Sequence, residues 1–179
     1  MSLTFTVTES LAAAAPRELW RKNGSTLELQ RVQFDEDGYT TPDAKRYRLI
    51  LSGMSDTFEE DGIYGLQTKV IAEFTIVGSK KWEGTRFSSF YTVPKDWTNE
   101  KARLAELGSA LNGRPLVKGD QVDFTAHILK ETVFEGVVEI ASSNSGREYA
   151  KIRTHLPLDD DDRAPVQQGA VTTDDAFPE

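Results

Sequence analysis

Two short segments of the chain combine basic and aromatic side chains. This is the mixture that sequence-tolerant binding of a single nucleic-acid strand requires, because cations follow the phosphates and bases stack on aromatic rings. The first segment, residues 80–91, is a basic turn leading into a strand, and the second is the strand at residues 148–156. With one residue of an earlier strand they provide nine candidate binding side chains: Arg48, Lys80, Lys81, Trp82, Arg86, Phe90, Tyr149, Lys151 and Arg153.

Alternation along each strand predicts which of these side chains share a face. One face of the last strand is expected to carry its basic and aromatic residues, Tyr149, Lys151, Arg153 and His155. In the earlier strand, alternation separates Phe90 from Phe87 and Tyr91, so at least one of these three rings belongs to the core. The alternative for both segments is an ordinary solvated strand face and a polar turn.

Patterns that would indicate an enzyme or a metal site are weak. The chain has no cysteine, so thiolate metal sites and cysteine nucleophiles are excluded. Neither a glycine-rich phosphate loop nor the H-E-x-x-H or G-x-S-x-G motif occurs. A metal site could join His127 and His155 to the aspartates at 159–162, but a run of four aspartates is typically part of a solvated tail. The acidic residues 59–61 resemble a catalytic carboxylate pair only in composition and are typical of a charged loop. We therefore expect a non-enzymatic protein without a cofactor.

The charge is distributed unevenly along the chain. The formal net charge is −8, yet residues 45–155 hold 16 basic and 15 acidic side chains, for a net charge of +1. Residues 156–179 hold one basic and seven acidic side chains, for a net charge of −6. Basic patches in the central part of the chain could therefore face a polyanion in spite of the overall charge.

Strand and helix patterns suggest a mainly β architecture. The predicted strands have β-branched and aromatic residues, and the predicted helix has Leu104, Leu107 and Leu111 on one face. We predict strands at 25–34, 45–54, 66–77, 85–93, 120–130, 133–141 and 148–156, a helix at 98–111, and a short helix that begins near Pro16 and ends at Asn23-Gly24. Residues 55–65 are predicted to be an acidic loop and 78–84 a tight turn.

The order of three strands, a helix and further strands is the connectivity of an OB-fold. This fold is a Greek-key barrel. The predicted architecture is an OB-fold-like barrel with one helix between its third and fourth strands, preceded by a short N-terminal β extension. We predict residues 1–44 to be an extension that packs on the barrel, 45–158 to be the nucleic-acid-binding domain, and 159–179 to be a disordered acidic tail. No apolar run approaches the roughly 20 residues that a membrane helix needs, so we expect a cytoplasmic protein with no membrane partner.

Residues 47–158 resemble the OB-fold single-stranded DNA-binding proteins encoded by bacteriophages and other mobile elements. The segments that carry the resemblance are the turn Lys80–Arg86, the stretch Asn112-Gly113-Arg114-Pro115, and the run Gly146–Ile152. The resemblance implies a non-enzymatic protein that binds single-stranded DNA with little sequence specificity, as an accessory in replication, recombination or repair. It also implies the cytoplasm of the host as the location and leaves homo-oligomerisation open.

Many proteins of this family end in an acidic–apolar peptide that recruits replication or recombination proteins. The matching residues here are Asp174, Asp175, Phe177 and Pro178. The chain departs from the usual pattern, in which phenylalanine is the last residue, because Phe177 precedes a proline and Glu179 ends the chain. A rival interpretation of the whole chain is a phage structural or protein-interaction β-domain that does not bind nucleic acid.

Overall fold

Eight strands and two helices form most of the chain that the computed structural model describes, namely residues 18–32, 39–99 and 101–158. The prediction of a mainly β protein is confirmed. In chain order the elements are β1 (Glu18–Asn23), β2 (Thr26–Arg31), β3 (Arg46–Met54), β4 (Phe58–Gly62), β5 (Gly65–Val77), β6 (Arg86–Thr92), α1 (Arg103–Asn112), α2 (Phe124–Lys130), β7 (Val133–Ser142) and β8 (Glu148–Pro157). No described helix has the length and apolar character needed to cross a membrane.

The strands form one antiparallel sheet in which β3 and β5 are central. One edge of β3 pairs with β5, and the other edge pairs with β7 and, at its end, with β1. Strand β5 pairs with β3 and β4 and also with β6. The β7–β8 hairpin extends the sheet beyond β3, and the β1–β2 hairpin extends it at the other end of that strand.

Alternating residues of β3 and β5 form the main core. Leu49, Leu51, Phe74 and Ile76 are completely buried and pack with Phe134 of β7. The predicted apolar face of the helix is confirmed, because Leu104, Leu107 and Leu111 of α1 are buried in the same cluster. Each buried side chain of this size stabilises the folded state by about 1.5–3 kcal/mol relative to an exposed one. This cluster is therefore a major source of the stability of the fold.

A smaller apolar cluster attaches the N-terminal hairpin to the other side of the sheet. Leu19 of β1 and Val32 pack there with Phe58 and Ile71, and Tyr39 covers them. The hairpin contacts the main core as well, because Leu27 of β2 packs partly against that cluster.

Two predictions of helix and strand are wrong. The segment predicted as a helix up to Asn23-Gly24 is strand β1, because Gly24 and Ser25 form the two-residue turn of a hairpin with β2, with Gly24 at a φ of 65°. The segment 120–130, predicted as a strand, contains helix α2, so the chain has two helices where one was predicted. The apolar alternation there was misleading, because Asp123 caps a helix by accepting a hydrogen bond from the Ala126 amide at 3.0 Å.

Two further boundaries differ from the prediction. Part of the predicted acidic loop is strand β4, which pairs with the start of β5 through a turn at Ile63 and Tyr64. Helix α1 begins at Arg103, five residues later than predicted, because Asp96 and Asn99 use their side chains to close turns before the helix. Asp96 accepts from the Thr98 amide at 2.9 Å, and Asn99 accepts from the Lys101 amide at 3.0 Å.

Candidate nucleic-acid interface

Three of the predicted binding residues share the outer face of strands β3, β5 and β6. Arg48 lies opposite Val77, Arg86 opposite Thr75, and Phe90 opposite Ile71, and paired residues point to the same side of a sheet. Phe90 is 55% exposed, whereas its neighbours Phe87 and Tyr91 are buried on the core side. The division of these three rings that alternation predicts is therefore observed.

In the basic turn between β5 and β6, Lys81 contacts an acidic and an aromatic side chain. The Lys81 ammonium lies 3.2 Å from a carboxylate oxygen of Asp43 and 4.9 Å from the centre of the Trp82 ring. Trp82 is half-buried against the main core, and Lys80 is exposed in the same turn. A base can stack on Trp82 only if Lys81 moves, which costs little because exposed ion pairs contribute about 0–1 kcal/mol.

The predicted face of the last strand is interrupted by a β-bulge. Tyr149 is 44% exposed, and Lys151 lies 3.2 Å from Glu139 across the strand pair. The register shifts after Ile152, so that Arg153 is an extra residue with no partner on β7. The shift turns His155 into the core, and the prediction that it shares a face with Tyr149 and Lys151 is wrong.

The buried His155 joins three elements through a hydrogen-bonded chain. Its ring Nε2 lies 2.7 Å from the Tyr91 hydroxyl on β6, and its Nδ1 lies 2.7 Å from a carboxylate oxygen of Glu106 on α1. The same oxygen accepts the His155 amide at 2.6 Å. If the imidazole is neutral, its Nδ1–H donates to Glu106 and its Nε2 accepts from the Tyr91 hydroxyl, so that both ring nitrogens and both partners are hydrogen-bonded. Sequence reasoning missed this cluster because its members are far apart in the chain.

Burial and hydrogen bonding shift the pKa values in this cluster. Burial lowers the pKa of His155, and the neighbouring Glu106 only partly offsets that effect. Burial alone would raise the pKa of Glu106, but its hydrogen bonds from His155 bring the value below the usual range. Burial also raises the pKa of the Tyr91 hydroxyl strongly. Since Tyr91 and His155 are almost inaccessible to solvent, the cluster holds β6, β8 and α1 together and does not meet a ligand.

A second buried cluster fixes the N-terminal hairpin on the outer face. The carboxylate of Glu73 on β5 is fully buried and accepts two hydrogen bonds from Arg21, at 3.1 and 2.5 Å. It also accepts from the Tyr39 hydroxyl and, at 3.0 Å, from the Ser52 hydroxyl. Burial would lower the pKa of Arg21, but the contact with Glu73 raises it. The hairpin is thus attached by a buried ion pair and lies beside β3 in the sheet.

A cavity of about 290 Å³ remains beside this attachment. It lies between the β1–β2 hairpin, the outer face of the sheet and the end of α2, and its lining includes Arg86. Of the nine predicted binding residues, Arg86 alone lines it. Sequence reasoning missed the cavity because its walls come from segments that are adjacent only in the folded chain.

The remaining predicted positions fall elsewhere. The proposed partner-binding residues Asp174, Asp175, Phe177 and Pro178 lie outside the described residues, as do the aspartates at 159–162. Within the described part of the chain, no group of three or more His, Asp and Glu side chains is placed to hold a metal ion. No protein-family model matches the sequence, and the curated proteins searched contain no match to it.

Proposed function

We propose that this protein is a non-enzymatic, OB-fold-like barrel that binds single-stranded DNA with little sequence specificity. The order of its strands carries the proposal. Strands β3, β5 and β6 form a meander, both helices follow β6, and β7 returns antiparallel to β3. Strand β8 lies close to β6, where His155 meets Tyr91. In an OB-fold the second and third strands present the oligonucleotide-binding face, and here those strands are β5 and β6.

The side chains on the outer face support this assignment. Arg86 and Phe90 on β6 supply a cation and an exposed ring on the same side of the sheet. Lys81 and Trp82 lie in the turn that leads into β6. Tyr149 and Lys151 supply a second ring and cation on β8. Because Lys81 and Lys151 are paired with exposed carboxylates, phosphates can displace those partners at small cost. We therefore expect binding that is modest in strength and sensitive to salt.

The cellular role follows from the same proposal. The protein would act as an accessory protein in replication, recombination or repair. Its location would be the cytoplasm of a cell that carries a phage or another mobile element. Asp174, Asp175, Phe177 and Pro178 would recruit other proteins of that process, and assembly of several copies along one strand is compatible with the proposal.

A salt titration of oligo-thymidine binding tests the proposal. Fluorescence anisotropy should show binding at low micromolar protein at about 50 mM salt. The logarithm of the affinity should fall with the logarithm of the salt concentration at a slope of roughly −2 to −4, since each of about three to five phosphate contacts contributes about −0.7. No binding, or an affinity that salt does not change, would contradict it.

A protein-interaction domain is the second candidate, and one observation favours it. The turn between β4 and β5 exposes Ile63 (91%), Tyr64 (89%) and Leu66 (63%), a patch of a kind often found at interaction sites. If this is the main function, replacing Ile63 and Tyr64 with serine should abolish self-association in sedimentation velocity, and the wild-type protein should not bind oligo-thymidine. A monomeric wild-type protein that binds oligo-thymidine would argue against this candidate.

A further inference from the structure

Two residues that line the cavity form an ion pair with each other. Lys22 of β1 belongs to one wall and Glu131, directly after α2, to the other, and both line the cavity. The Lys22 ammonium lies 2.9 Å from a carboxylate oxygen of Glu131, and the two side chains are 37% and 54% exposed. An ion pair this accessible is easily exchanged for another anion.

The lining of the cavity combines the chemistry that a nucleotide requires. Ile50 and Ile128, which are both almost completely buried, form the apolar part of the lining, against which the edge of a base can pack. Ser52 and Thr75 contribute hydroxyl groups. The Thr75 hydroxyl donates to that of Ser52 at 2.8 Å and the Ser52 hydroxyl donates to Glu73, so both oxygens can accept hydrogen bonds from the base. The volume of about 290 Å³ lies just below the range of about 300–1,000 Å³ for small-molecule pockets, so the cavity can hold no more than a single nucleotide.

The cations of the cavity differ in their availability. Arg21 is engaged by the buried Glu73, and breaking that pair would leave a carboxylate buried without a counter-charge, which is strongly unfavourable. The partner of Lys22 is instead an exposed carboxylate at the end of a helix. Lys22 can therefore change partner when an anion enters.

We infer that this cavity receives one nucleotide of the bound DNA strand, whose phosphate replaces Glu131 as the partner of Lys22. The inference rests on the proposed function and assigns the N-terminal hairpin a role in binding, in addition to its packing on the sheet. Glu131 then acts as a competitor of the phosphate and weakens binding.

Opposite effects of two substitutions test the exchange. Lys22→Ala should weaken oligo-thymidine binding at about 50 mM salt roughly tenfold and reduce the salt slope by about 0.7, the contribution of one phosphate. Glu131→Gln should tighten binding, because it frees Lys22. The matched control is Glu59→Gln, which removes the same charge from the exposed part of β4, and it should change the affinity less than Glu131→Gln does.

The double variant Lys22→Ala/Glu131→Gln separates exchange from general charge effects. If Glu131 acts through Lys22, the double variant should bind like Lys22→Ala alone. Additive effects, or an affinity of both single variants equal to that of the wild type, would overturn the inference while leaving the proposed function intact. A wild-type protein that does not bind oligo-thymidine would overturn both. The melting temperature of each variant should equal that of the wild type, because the ion pair is exposed. This measurement shows that differences in affinity come from folded protein.

Discussion

Trp82 and Lys151 represent the two kinds of contact that the proposed function needs. Trp82→Ala should weaken oligo-thymidine binding by about 1–3 kcal/mol at every salt concentration, because a stacking contact is lost. Lys151→Ala should mainly flatten the salt slope, because a phosphate contact is lost. Anisotropy titrations at two salt concentrations measure both effects.

Thermal melting provides the control for this comparison. Trp82 packs partly on the main core, so some loss of stability is expected from its replacement. If Trp82→Ala destabilises the fold but leaves the affinity of the folded fraction unchanged, Trp82 is a core residue and the stacking assignment is wrong.

His155 should make the stability of the protein depend on pH. Burial lowers its pKa in the folded state, so the unfolded chain takes up a proton first as the pH falls below the ordinary histidine value of about 6.5. The free energy of unfolding should therefore decrease from pH 7.5 to 5.5. The pKa of Glu106 is also lowered, but its contribution is lost only at lower pH, below about 4.5, where the unfolded carboxyl is protonated.

Urea denaturation of histidine variants measures this dependence. His155→Gln should reduce the difference in midpoint between pH 7.5 and 5.5. His127, whose pKa is also lowered by burial, is less deeply buried, so His127→Gln should have a smaller effect. Equal pH dependence in His155→Gln and the wild type would show that another group is responsible.

At the scale of the elements, the contact between β3, β7 and β8 depends on a glycine. A Cβ atom at Gly136 of β7 would lie 2.6 Å from a methyl group of Leu49 and 3.3 Å from one of Ile152. Gly136→Ala should therefore destabilise the protein by about 1–3 kcal/mol, the usual cost of overpacking a core.

Gly62→Ala is the matched control for this substitution. Its Cβ atom would meet only the side chain of Gln67, 3.1 Å away, at an exposed position that can adjust. Thermal melting should show a clear loss for Gly136→Ala and a much smaller one for Gly62→Ala. Similar losses in both variants would mean that the close approach to Leu49 is relieved by small movements of the sheet.

At the scale of the whole molecule, the acidic C-terminal segment should compete with DNA. Residues 159–179 hold seven acidic side chains and one arginine, next to a domain of nearly neutral charge. Because the segment is tethered, even a weak contact with basic residues acts at an effective concentration on the order of millimolar. Deleting residues 159–179 should tighten oligo-thymidine binding at about 50 mM salt and have less effect at about 300 mM, where screening is stronger.

The wild type and the truncated protein should be compared in the same anisotropy titration. Unchanged or weaker binding after truncation would exclude the competitive role. Recruitment of partners by Asp174, Asp175, Phe177 and Pro178 would then be tested separately, by pull-down with the terminal peptide carrying either Phe177 or an alanine in its place.

The sequence by itself determined the strands whose residues alternate strongly. It predicted β3, β5, β6, β7 and β8 to within one or two residues, and it separated Phe90 from Phe87 and Tyr91, because the side-chain period of a strand is a local property. It failed at β1 and α2, where a single local signal fitted two structures. Gly24 after Asn23 can end a helix or begin a hairpin turn, and the apolar residues 122–128 fit alternation although Asp123 caps a helix there.

Only the tertiary structure decided how distant segments meet. The bulge at Arg153 arises from the pairing of β8 with β7, and it turned His155 from the predicted outer face towards Tyr91 and Glu106. The cavity bounded by Lys22 and Glu131 likewise exists because a hairpin and a helix end 109 residues apart pack on the same sheet. Such sites depend on packing between distant segments of the chain. A local pattern of residue types does not predict the free energy of that packing.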